Sequence, residues 1–134
     1  MADRRGIDNN PPDDILLHMQ DAAKGMEQVR KMLGHPIHVN SWYRCPRLNE
    51  AVGGVDNSAH TTGYAIDFVC PAYGSILEVC RAVRNSDILF DQLIWEYGRW
   101  VHLSFAPTYR MQVLTKRTGE PYRFGLPGDV GNGH

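Results

Sequence analysis

Apolar positions recur at helical spacing over one long stretch near the start of the chain: Ile15, Leu16, Met19, Ala22, Ala23, Met26, Val29 and Leu33. That period lines them up on one stripe, so the spacing predicts an amphipathic helix from about Asp13 to Leu33. Pro12 and the acidic pair Asp13 and Asp14 suit its first turn, where proline loses no hydrogen bond and negative charge meets the positive end of the helix dipole. Gly34 is its natural stop. Ile37 and Val39 then alternate with polar neighbours after Pro36, which reads as a short strand.

Residues 42–63 are rich in Gly, Asn, Pro and Ser. A loop this long inside a small domain is usually functional, so it is expected to be ordered around a site. Tyr64 to Cys70 reads as a strand, and Ser75-x-x-Glu78 is a capping box that opens a second helix to about Arg84. Three strand-like runs follow with short links: Phe90 to Trp95, Trp100 to Phe105 and Tyr109 to Thr115. After Gly119 the chain is Gly- and Pro-rich and no regular structure is expected. The expected fold class is α+β, with two main helices packed on a small, mainly antiparallel sheet. The expected organisation is a flexible arm over 1–12, one domain over 13–118 and a tail over 119–134.

Composition narrows the class. With 134 residues, 43% apolar and 22% charged, the chain has the profile of one globular domain with one real core. A formal net charge of −1 gives no electrostatic reason to expect a nucleic-acid partner. No apolar run approaches a membrane span, and Met1 to Gly6 is not followed by the hydrophobic core of a secretory signal. Synthesis in the cytoplasm without a signal peptide is therefore expected. Cys45, Cys70 and Cys80 are odd in number and lack a Cys-x-x-Cys spacing, which argues against a disulfide framework and a thiolate zinc ribbon. Cys70 and Cys80 sit among apolar neighbours and are expected to be buried, reduced thiols.

The chemistry concentrates in two segments, Ser58-Ala-His60-Thr-Thr-Gly63-Tyr-Ala65-Ile-Asp67 and Glu96-Tyr-Gly-Arg-Trp-Val-His102. Two imidazoles and a short carboxylate form a catalytic zinc set, because three protein ligands leave a fourth position open. A second carboxylate near the last ligand then serves as a general base. If Tyr97-Gly98-Arg99 is a three-residue loop, Glu96 faces Trp100 across a hairpin. Alternation then places Ile94, Glu96, Trp100, His102 and Ser104 on one face and Val101, Leu103 and Phe105 on the other, toward the helices. A two-residue loop would separate Glu96 from His102. Asp91 is the fallback base. His18, His35, His38 and His134 are expected to be structural or solvated, and a cysteine hydrolase using Cys45 with His60 and Asp67 would ignore His102.

Ser58-x-His60-x-x-Gly63-x-Ala65-x-Asp67 resembles the signature of the zinc D-Ala-D-Ala metallopeptidases, whose fold is shared with the Hedgehog signalling domain. The agreement extends to Ser41-Trp-Tyr-Arg44-Cys-Pro46-x-Leu48-Asn49-x-Ala51-Val-Gly-Gly54 upstream and Trp100-Val-His102 downstream, and it is strongest with small peptidase domains of phages and prophages. The resemblance implies one zinc per chain, held by His60, Asp67 and His102, with Glu96 as the base. It departs from the relatives that have Glu three before the last ligand, where this chain has Arg99, and from those with a second His at the position of Trp100. Arg44 matches an arginine that contacts substrate or braces the site, and Ser58 is a second candidate for substrate contact. The implied function is hydrolysis of peptidoglycan peptides, as a D-Ala-D-Ala carboxypeptidase or an endopeptidase of endolysin type, by a monomer acting on the cell wall, reached by phage-mediated release. The alternative is an inactive, zinc-stabilised binding module of the same fold.

Overall fold

A computed structural model describes residues 10–43 and 59–129, the side chains of Ala59 and His60 excepted. Helix α1 spans Asp13–Leu33 and buries Ala22, Gly25, Met26, Val29 and Leu33, while Leu16 and Ala23 of the expected stripe stay exposed. It ends where Gly34 turns left-handed at φ 70° and donates its N–H to the Arg30 carbonyl, a conformation that costs glycine nothing. Helix α2, Ile76–Arg84, opens on the capping box: the Ser75 side chain accepts from the Glu78 N–H and Glu78 accepts from the Ser75 N–H. These reciprocal bonds satisfy two donors that the first turn would otherwise leave unpaired.

Among the described residues six strands form one sheet: β1 His38–Ser41, β2 Ala65–Val69, β3 Gln92–Glu96, β4 Trp100–Ser104, β5 Gln112–Lys116 and β6 Arg123–Phe124. Their order is β1-β2-β4-β3-β5-β6, and every neighbouring pair is antiparallel except β3 with β5. Both helices pack on one face, over a core that includes Val29, Phe68, Val79, Val83, Leu93, Val101 and Leu103. Burial of each such side chain contributes about 1.5–3 kcal/mol. Gly25 brings α1 against the end of β4, since a Cβ there would lie 2.3 Å from the Phe105 ring. The opposite face of the sheet carries the polar side chains described below beside the buried Ala65, Ile94 and Leu114. Among the described residues no helix is long and apolar enough to cross a membrane.

The class is the expected one, but two local expectations are corrected. The run expected over 90–95 forms a strand only from Gln92, and that over 109–115 only from Gln112, because Tyr109 and Met111 take positive φ (41° and 54°) that no strand accommodates. The stretch after Gly119 is not without structure as far as Asp129: β6 pairs with β5, Leu126 is buried in the core, and Arg84 grips the Asp129 carboxylate at 2.8 Å and 3.0 Å. The glycines there serve turns, with φ of 75° at Gly119 and 87° at Gly125.

Cys70 and Cys80 are free, buried thiols, as expected. Burial pushes the Cys80 thiol up to about 12, which leaves it without nucleophilic character near neutral pH. Asp91 is no fallback base. Its carboxylate accepts from Thr108, the Arg110 backbone and the Arg110 guanidinium at 2.7–3.1 Å, and those bonds, the guanidinium foremost, hold it down at about 2.

A depressed carboxylate stabilises the fold above its unfolded value and loses that contribution as pH falls from about 4 toward about 2. Arg110→Ala is therefore expected to lower stability by about 1–2 kcal/mol at pH 7, the exposed guanidinium limiting the effect. Urea unfolding of both proteins should show the difference shrinking near pH 2; an equal difference at both pH values would contradict the ion-pair origin.

Candidate metal centre

The hairpin sets the geometry. Tyr97-Gly98-Arg99 is a three-residue loop: Glu96 pairs with Trp100, and the Arg99 N–H donates to the Glu96 carbonyl at 3.0 Å. Tyr97 and Gly98 are both left-handed (φ 58° and 68°), and a Cβ at Gly98 would press on the Trp95 ring at 3.0 Å. The parity condition is thus met, and Glu96 and His102 share a face. Strand β2 adds the third group, because its register places Asp67 directly opposite His102.

These side chains converge. His102 Nδ1 stands 2.9 Å from Asp67 Oδ1 and 3.6 Å from Glu96 Oε1, and all three side chains are largely shielded from solvent. One ligand atom from each of Asp67, Glu96 and His102 lies within 4.8 Å of the others. Two ligands on a tetrahedral zinc stand about 3.3 Å apart, so the imidazole nitrogen and the carboxylate oxygen are spaced for one ion. The donor types, a nitrogen and carboxylate oxygens with little solvent exposure, also suit zinc.

Trp100 has a role that the sequence did not disclose. Its indole N–H donates to Glu96 Oε2 at 3.1 Å, and its ring meets that of Tyr97 edge-on at 5.4 Å. The indole therefore fixes one carboxylate oxygen and turns Oε1 toward His102. Glu96 is accordingly not an exposed turn residue. Trp95 lies on the other face, packed on the core under the Arg117 guanidinium, and does not line the site.

The backbone of His60 lies in a 3-10 turn, Ala59–Thr62, that leads into β2. Its side chain, together with Arg44, Ser58 and Cys45, lies outside the described residues. The end of that turn is clamped from two sides. His18 on α1 bonds through Nδ1 to the Thr62 carbonyl at 2.8 Å and stacks on Tyr64 at 4.3 Å, while the Trp42 indole N–H donates to the Gly63 carbonyl at 3.0 Å. Gly63, at φ 83°, sits so close to α1 that a Cβ would meet Met19 at 2.9 Å and Ile15 at 3.0 Å. His18 is structural, as expected, and what it holds is the segment between His60 and Asp67.

The profile of Peptidase M15 matches residues 1–104, more than three quarters of the chain. The chain belongs to the Peptidase M15 family. The family is one of metallopeptidases of the zinc D-Ala-D-Ala type, in line with the resemblance carried by the motifs of this chain. No curated protein matches the chain. The family match stops at the last residue of β4, so β5 and β6 lie beyond it.

Groups that orient a metal site usually change its affinity by tenfold or more when removed. His18→Ala is expected to weaken zinc retention about tenfold in a chelator competition, with the helical circular dichroism unchanged. Undiminished retention would show that the turn holds its shape without α1.

Proposed function

We propose that this chain is a zinc-dependent peptidase that hydrolyses peptide bonds of bacterial peptidoglycan, as a carboxypeptidase or endopeptidase of endolysin type. The observation that carries the reading is the convergence of Asp67, Glu96 and His102 on one sheet face in a member of a metallopeptidase family. Asp67 and His102, joined by His60, are the residues that would hold a single zinc. When bound there, zinc supplies Lewis acidity that makes hydroxide available near neutral pH, where free water has a pKa of about 16.

The remaining steps belong to the protein. Glu96 is held through Oε2 by the Trp100 indole, so Oε1 keeps one position beside His102. In this reading Oε1 accepts the proton of the attacking water and passes it to the leaving amine. Holding that oxygen still keeps proton donor and acceptor in reach throughout the step. The Arg44 guanidinium is assigned to a substrate carboxylate, which its planar fork can bind through two parallel hydrogen bonds. Ser58 is assigned to the substrate backbone. Peptidoglycan peptides are the proposed partner, the protein acting as a monomer on the cell wall after phage-mediated release.

The test is cleavage of purified muropeptides, read by mass spectrometry, for the parent and Glu96→Gln. The variant is expected to lose about a hundredfold or more in turnover while retaining its metal. Turnover within a few-fold of the parent would remove Glu96 as the base. A zinc-loaded parent that cleaves no muropeptide would leave a zinc-stabilised binding module of the same fold.

A further inference from the structure

The row of residues that contains Glu96 does not stop there. Glu96 pairs with Trp100 on one side and with Lys116 on the other. The register that sets Thr115 opposite Arg123 and Leu114 opposite Phe124 brings Tyr122 to the level of Lys116. Directly paired residues share a face, so Trp100, Glu96, Lys116 and Tyr122 form one row across β4, β3, β5 and the start of β6, on the side of the sheet that carries Asp67 and His102.

Within that row the phenol of Tyr122 is held but not used. The Lys116 ammonium lies over its ring, 5.4 Å from the centroid, and also donates to the Glu120 carbonyl, which fixes the ring by cation–π contact. The hydroxyl has no hydrogen-bond partner among the described residues. The residue is 56% exposed, so a bound peptide can reach it. Partial burial first, and then the electrostatic influence of Glu96, Tyr97 and Asp67, raise the phenol above the ordinary tyrosine range. The group therefore keeps its proton near neutral pH and acts as a donor, and it lies in the field of the two acids of the site.

Peptide hydrolysis calls for such a donor, since the carbonyl oxygen gains negative charge as the carbon becomes tetrahedral. The Trp100 indole, the other neutral donor of the row, is committed to Glu96. We propose that Tyr122 is a catalytic residue of this peptidase, its hydroxyl donating a hydrogen bond to the carbonyl oxygen of the scissile bond as that oxygen becomes anionic. No bond to the tyrosine forms or breaks, and the phenol retains its proton; the proton that reaches the leaving amine comes from Glu96. The inference rests on the peptidase reading above, but family membership does not supply it, because Tyr122 lies beyond the matched residues 1–104.

Tyr122→Phe removes the hydroxyl and keeps the ring beneath Lys116. On a muropeptide that the parent cleaves, kcat is expected to fall about 10- to 100-fold with KM within about threefold and zinc content unchanged. A phosphinate analogue of the cleaved bond, which has the tetrahedral shape, should bind more weakly by a similar factor, while the product peptide binds as before. A kcat within about twofold of the parent, or a loss confined to KM, would overturn the proposal. Its placement is tested apart from turnover: spectrophotometric titration, read as the difference between parent and Tyr122→Phe, should show the Tyr122 phenol moving down in a Glu96→Gln background. An unmoved phenol beside an active parent would refute this inference alone, whereas a parent without turnover would remove the peptidase reading and this role with it.

Discussion

The register of the β3–β4 hairpin is the constraint on which the rest depends. Side chains in a strand alternate with a period of two, so one residue more or less in the loop would send His102 and Glu96 to opposite faces. Tyr97 and Gly98 take left-handed conformations that close the turn in three residues, and Glu96 and Trp100 meet as a direct pair. From that single choice follow the bond from the indole to Glu96, the approach of Glu96 to His102 and the placing of Val101 and Leu103 in the core.

The sheet then divides its labour by face. One side carries the buried apolar residues that α1 and α2 cover, and supplies the stability. The other collects Asp67 from β2, His102 from β4 and Glu96 from β3, each on a strand fixed by its neighbours on both sides. Groups on central strands hold their positions better than groups on loops, which suits a site whose members must stay within a few tenths of an ångström. The turn that carries His60 is not part of the sheet, and the bonds from His18 and Trp42 hold its end.

Much of this was legible in the sequence because it depends on local rules. The stripe of α1, the capping box of α2 and the alternation along β4 each follow from residue spacing alone, and the hairpin parity follows from the length of its loop. What was not legible depends on long-range contacts. The Arg110 clamp on Asp91 joins residues nineteen apart in the chain, so a carboxylate that read as a spare base turned out to be tied down. His18 reaches a carbonyl forty-four residues away. The tail was misread for a different reason: Gly119, Gly125 and Gly128 signal turns and disorder equally well, and the alternation of Tyr122 and Phe124 spans too few residues to announce β6. Arg44, Ser58 and the His60 side chain lie outside the described residues, and their roles stand as proposals.

The account turns on a metal at this sheet face, and metal content of protein purified without chelator tests it most directly. Near one zinc per chain in the parent, with clear loss in His102→Ala of unchanged fold, is the predicted result. Protein that stays metal-free after zinc is added back, or a His102→Ala variant that binds zinc as well as the parent, would contradict it.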